Sequence, residues 1–167
     1  FARFGGNVMA EVFVNMGQIS SFKTQGILTT VGLGSCIGVT LYDDVAKVGV
    51  MGHIFLPRSR EKDVGAPPGK YADTGIPAMI DEAVKLGAKQ SRLKAKMAGG
   101  ANLFPNLSAN STSIGQQNID AVTEHLKKHG IAIVGKDVAG GHGRKMRFFV
   151  DTGIVTVTAI GKDAVEI

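Results

Sequence analysis

An α+β fold, with layered and largely antiparallel strands and two separate helices, is what the order of hydrophobic patterns along this chain predicts. Short β-branched runs dominate, glycine-rich turns separate them, and only two stretches switch from the alternating period to the helical one. The strands are expected at 26–31, 37–42, 47–55, 131–138, 145–151 and 154–159. Between 74 and 86 the residues Ile76, Met79, Ile80, Ala83 and Leu86 recur at helical spacing, and Gly87 follows where a helix stops. A second helix begins at Ser113, with Gln116 completing a capping-box pattern. Its stripe is Ile119, Val122 and Leu126, and Gly130 ends it. Both helices are expected to pack on the sheet. The stretch 57–70, with three prolines and mixed charges, is expected to form an exposed irregular loop and a mobile lid beside the site.

The 167 residues are expected to fold as one domain, 1–167, since that length buries a core without disulfide or metal staples. A hydrophobic fraction of 44% beside 20% charged residues excludes a disordered chain. The 23 glycines are about double the average usage of ~7% and imply many tight turns. A net charge of +5 favours acidic partners in general. Two tyrosines and no tryptophan leave little to stack on bases, and the cations are scattered, so no nucleic-acid role is expected. No run approaches the ~18 apolar residues that span a bilayer, and 1–17 lacks the pattern of a signal peptide. A cytoplasmic protein without membrane insertion is expected. Phe1 is not an initiator residue, so a longer chain is expected as well.

The single cysteine, Cys36, has no disulfide partner within the chain and needs another purpose. An inert core thiol normally sits inside an apolar run, whereas Cys36 follows the turn Gly32-Leu33-Gly34-Ser35 at the start of a strand. Glycines there let the backbone turn sharply, so that amide N–H groups around Gly34, Ser35 and Cys36 converge on a developing oxyanion. Asp43, Asp44, Val45 and Ala46 link the strands 37–42 and 47–55 as a four-residue hairpin loop. If Tyr42 pairs with Lys47, counting back along both strands sets Cys36 directly across from His53. Directly opposed residues share a face with Cβ atoms roughly 4.5–5.5 Å apart. The chemistry wants this pair, because a thiol of pKa ~8.5 is mostly protonated at neutral pH and an imidazole can take its proton. Thr30 is the candidate to orient that imidazole through its hydroxyl.

Other signals are weaker. His125 and His129 stand one helical turn apart, but no Glu follows the first as in zinc proteases, so no metal is expected. Gly32 and Gly34 miss the dinucleotide fingerprint because Ile37 stands where its third glycine belongs. Gly140, Gly141 and Gly143 before Arg144 and Lys145 suggest either a hairpin turn or an anion-binding loop.

The turn at residues 32–37, followed by Gly52-His53-Ile54-Phe55-Leu56-Pro57, resembles the chemoreceptor glutamine deamidase family CheD. Later blocks resemble it in the same order: Lys96-Met97-Ala98-Gly99-Gly100-Ala101-Asn102-Leu103-Phe104, Ile114-Gly115-Gln116-Gln117-Asn118 and Gly140-Gly141-His142-Gly143-Arg144-Lys145. The resemblance implies that Thr30, Cys36 and His53 are the catalytic residues. It also implies a β-sandwich flanked by helices, shared with bacterial toxin deamidases, and a partner phosphatase, CheC. The implied reaction turns glutamine side chains on chemoreceptor helices into glutamate without cofactor or metal, and extends to glutamyl methyl esters. Two positions depart from the family pattern: Ala98, where an aromatic residue is expected, and His142, where Asn is common. The rival readings are a non-catalytic regulator that binds receptor or CheC, and a cysteine peptidase, for which no signature surrounds Cys36 or His53.

Overall fold

The computed structural model describes residues 2–4, 7–105 and 111–167; Phe1 lies outside them. The strands are β1 (Ala2–Phe4), β2 (Asn7–Met9), β3 (Glu11–Phe13), β4 (Ile19–Lys23), β5 (Ile27–Leu33), β6 (Ile37–Asp43) and β7 (Val48–Ile54). After them come α1 (Ala72–Lys85), β8 (Lys94–Gly99), α2 (Ile114–Lys128), β9 (Ala132–Val138), β10 (Arg144–Phe149), β11 (Ile154–Ala159) and β12 (Val165–Glu166). β1 and β2 pair with each other, and the remaining strands form two five-stranded sheets. One has the order β12-β11-β10-β5-β3 and the other β4-β7-β6-β8-β9. Pairing is antiparallel except for β3 with β5 and β8 with β9, so both sheets are mixed and the class is α+β.

Two clusters of buried side chains make three layers. Ile37, Val39, Leu41, Val50 and Ile54 pack against Ile76, Met79 and Ala83 of α1 and Val122 and Leu126 of α2. On the other side of the same sheet, Met51 and Ala98 meet Leu28, Leu33, Met146, Phe148, Val155 and Val157 of the first sheet, and Cys36 belongs to this cluster. The β4-β9 sheet is thus covered on both faces, which is why β7 is buried at every residue. Alternation fails there as a guide, and a continuous apolar run replaces it.

The helices start near their expected positions. Ser113 caps α2, its hydroxyl accepting the Gln116 N–H at 3.1 Å. The stretch 57–70 is mostly irregular and exposed, with one 3-10 turn at Glu61–Asp63, and it joins β7 to α1. Its end is fixed: Lys70 O accepts from the N–H groups of Phe55 and Leu56, and the Asp73 carboxylate takes the N–H of Ser59.

The hairpin register differs from the expected one. The loop is still four residues long, but Asp43 stays in the strand and pairs with Val48, so Tyr42 opposes Gly49 and Gly38 opposes His53. Asp43 explains the change. Its carboxylate turns back to accept the N–H groups of Val45 and Ala46, and Lys47 takes a left-handed conformation, φ 55°, to close the loop. The same carboxylate also takes the Lys89 N–H and the Arg92 guanidinium. Burial opposes ionisation of Asp43, but Arg92 and these three N–H groups outweigh it and hold the carboxyl well below the usual carboxylate range.

The link from β9 to β10 is a crossover between the two sheets rather than a hairpin turn. Arg144 pins it. Its guanidinium donates to Asp137 and to the carbonyls of Gly99, Ala139 and His142, so this cation is spent on the protein itself rather than presented to an anion. Ala98 pairs with Gly38 in the core between the sheets, where packing holds the residue small.

Candidate active site

Thr30 and His53 come from different sheets that the layers bring into contact, and the β6–β7 hairpin carries Cys36 on the same face as His53, with no hydrogen bond between the thiol and the imidazole among the described residues. Thr30 lies on β5 of one sheet, His53 near the end of β7 of the other, and Cys36 one residue before β6. They are 1%, 4% and 4% exposed. The expectation that Cys36 lies directly across from His53 is corrected: the last ladder pair is Ile37 with Ile54, so Cys36 stands one step beyond the ladder, diagonal to His53. A slip of two residues, unlike a slip of one, preserves the faces, because side chains alternate with period two. Diagonal neighbours are roughly 7–8 Å apart, within reach of side chains that lean toward each other.

Gly38, directly opposite His53, carries the local logic. A Cβ there would crowd the Met146 sulfur at 2.8 Å and the Thr30 methyl at 3.2 Å. With only hydrogen at that position, β5 comes close enough for Thr30 Oγ1 to sit 2.8 Å from His53 Nδ1.

The direction of that hydrogen bond follows from the next one. Thr30 has a single hydroxyl proton and donates it to the Val14 carbonyl at 2.7 Å. Thr30 Oγ1 is therefore the acceptor for His53, and Nδ1 carries the ring proton. The network assigns the tautomer that leaves the lone pair on Nε2. His53 Nε2 is buried and has no partner among the described residues. The backbone of His53 is held from the β4 side, where its N–H donates to Gln18 O and its carbonyl accepts from the Gly17 N–H.

Both groups are biased toward neutrality. Burial pushes the Cys36 thiol up, an effect that its own backbone N–H partly offsets. Burial likewise pushes His53 down, opposed by the Val14 carbonyl. For both groups, burial disfavours the charged form, the thiolate of Cys36 and the imidazolium of His53.

The turn before the thiol is tied down by three successive carbonyls. Gly34 O accepts the Ala101 N–H at 2.8 Å, Ser35 O accepts Asn118 Nδ2 at 2.9 Å, and Cys36 O accepts the Gly100 N–H at 2.9 Å. Gly99 makes this fit possible: its φ is 115°, and a Cβ there would overlap the Cys36 carbonyl oxygen. Among the described residues no backbone carbonyl takes the Ser35 or Cys36 N–H, and the Cys36 N–H lies beside its own sulfur. Asn118, buried completely on α2, escaped sequence reading as a site residue, although a polar residue four before Val122 on an otherwise apolar stripe was the available signal.

Fold and site together define a class: an α+β protein with its one thiol, and an imidazole oriented by threonine, at the end of a sheet covered on both faces. The family model described as CheD chemotactic sensory transduction matches residues 55–159. The chemoreceptor glutamine deamidase CheD of Thermotoga maritima is 41% identical over 148 residues, covering 89% of this chain and 91% of the relative. The probable chemoreceptor glutamine deamidase CheD of Desulforamulus reducens is 45% identical over 153 residues, covering 91% and 92%. That of Caldanaerobacter subterraneus is 44% identical over 149 residues, covering 89% and 92%. The chain belongs to the CheD family.

Proposed function

We propose that this chain hydrolyses glutamine side chains of chemoreceptors to glutamate through a thioester on Cys36, acting as one domain over 1–167. The observation that most supports it is the directed Val14–Thr30–His53 relay, which leaves a lone pair on His53 Nε2, with Cys36 one diagonal step away across the β6–β7 hairpin. The names of the relatives supply the substrate class. Cys36 Sγ attacks the amide carbon and its proton passes to Nε2. The oxyanion forms within reach of the Cys36 and Ser35 N–H groups, at the turn that Gly34 opens. Collapse breaks the C–N bond, and the proton on Nε2 leaves with ammonia. Water then gives a proton to the same nitrogen, attacks the thioester carbonyl and releases glutamate, and the thiol takes its proton back. Glutamyl methyl esters enter the same route with methanol leaving. Receptor helices in the cytoplasm are the proposed substrate and a CheC phosphatase the proposed partner; no helix among the described residues is long and apolar enough to cross a membrane. The test is mass spectrometry of a receptor cytoplasmic fragment incubated with the protein. Expected is the mass gain of glutamine becoming glutamate at discrete sites; an unchanged fragment overturns the reading.

A neutral resting pair, which this burial favours, has its own expected result. The rate of Cys36 alkylation by iodoacetamide depends on thiolate, so it should rise with pH from about 6 to beyond the ordinary thiol value of ~8.5, because burial moves the thiol upward. A preformed thiolate–imidazolium pair would instead give a plateau reached in acid. A plateau by about pH 6 counts against the neutral pair.

A further inference from the structure

We infer that Asn118 is a positioning residue for this reaction: it fixes the peptide plane that aims the Cys36 N–H at the oxyanion. The inference rests on the acyl-transfer reading above. Asn118 Nδ2 has two protons and uses both, donating to Ser35 O at 2.9 Å and to Phe55 O at 3.0 Å. Both partners are carbonyl oxygens, so the nitrogen end of the amide must face them. Ser35 directly precedes the nucleophile, and Phe55 lies two residues beyond His53. The β6–β7 ladder ends at Ile37 and Ile54, so the single carboxamide bridges the two strands where backbone pairing has stopped.

The trans peptide does the rest. In a planar trans unit the C=O and the following N–H point in opposite directions, so drawing Ser35 O toward α2 turns the Cys36 N–H away from α2. That is the side on which Thr30 and His53 meet, since α2 packs on the outer face of the sheet and Thr30 lies between the sheets. The Gly34 carbonyl, held by Ala101, does the same for the Ser35 N–H. The first turn of α2 lies flat enough to reach the site because Gly115 has no side chain. A Cβ there would meet the carbonyl oxygens of Gly100 and Ala101 at 2.5 Å.

Packing alone does not account for an amide here. Asn118 Oδ1 is buried without a partner among the described residues, a loss that an apolar side chain of similar volume would avoid. The two donors are what the site gains.

The test compares two reactions of one sulfur. Alkylation by iodoacetamide requires the thiolate but forms no oxyanion, whereas deamidation requires both. In Asn118→Leu, kcat on a receptor fragment should fall about 10- to 100-fold with KM within about threefold, while the alkylation rate at fixed pH stays within about threefold of the unsubstituted protein. Asn118→Ser keeps one donor and should lose less; it carries the same comparison if Asn118→Leu does not fold. A folded variant with undiminished kcat overturns the inference, and so does an equal loss in both reactions, which would make Asn118 a packing residue. If the unsubstituted protein leaves the fragment unchanged, the acyl-transfer reading fails first and the inference falls with it.

Discussion

Replacing Cys36 with Ser should abolish deamidation, with losses of about 100-fold or more in kcat, because a hydroxyl is far harder to ionise than a thiol at the same place. From the sequence, a thiol lining an open cleft would change stability little on replacement. Cys36 is instead 4% exposed and packs with Leu33, Met146 and Phe148 between the sheets. Serine would bury a hydroxyl among them at a cost of about 1–3 kcal/mol, so the melting temperature should drop as well. Cys36→Ala separates the two effects, for it removes the nucleophile without adding a polar group. Both variants should be inactive, with the alanine variant the more stable. Retained deamidation in either would end the thioester mechanism. Inactive variants that still bind receptor would confirm that the thiol acts in chemistry rather than contact, against the reading of a non-catalytic regulator.

Asp43→Ala should cost about 2–4 kcal/mol in urea unfolding, the largest stability loss expected from a residue outside the core clusters. The carboxylate is fully buried and satisfies the N–H groups of Val45, Ala46 and Lys89 together with Arg92, so its removal leaves several donors without an acceptor. Arg92 is 30% exposed at its side chain and can turn to water, which moderates the loss. The folded carboxyl titrates below its unfolded value of ~3.9, so between the two values the unfolded chain binds more protons. The contribution of Asp43 is therefore fully present above about pH 4 and is lost as pH falls through the folded value. A variant as stable as the parent at pH 7 would refute this account.

Much of the fold was legible because the informative strands are β-branched and the helices carry their own punctuation. β5, β6, β7, β9 and β11 lie where Val, Ile and Thr concentrate, β10 ends on the aromatic pair Phe148-Phe149, and Ser113 and Gly130 mark the ends of the second helix. β8 escaped notice. Its residues, Lys94-Ala95-Lys96-Met97-Ala98-Gly99, have little strand propensity, and the strand is made by its neighbours β6 and β9 on either side. β4 and the short β3 and β12 are edge or near-edge pieces whose pairing depends on distant partners. Of the candidate site, residue types and faces were readable from hairpin periodicity, but the register was not, since it depends on a carboxylate that folds back into its own turn. Asn118 was readable as an odd polar residue on an apolar stripe but not as a brace, since nothing local tells an amide on a helix which carbonyls it will meet.

The bond from Asn118 to Ser35 spans 83 positions of chain. Ribosomes build proteins from the amino end, so Thr30, Cys36 and His53 all emerge well before the residue that braces the nucleophile turn. A nascent chain carries an ordinary thiol. On the proposed reading, the full deamidation rate is therefore expected only once α2 has been made and docked against that turn, well after the thiol itself has left the ribosome.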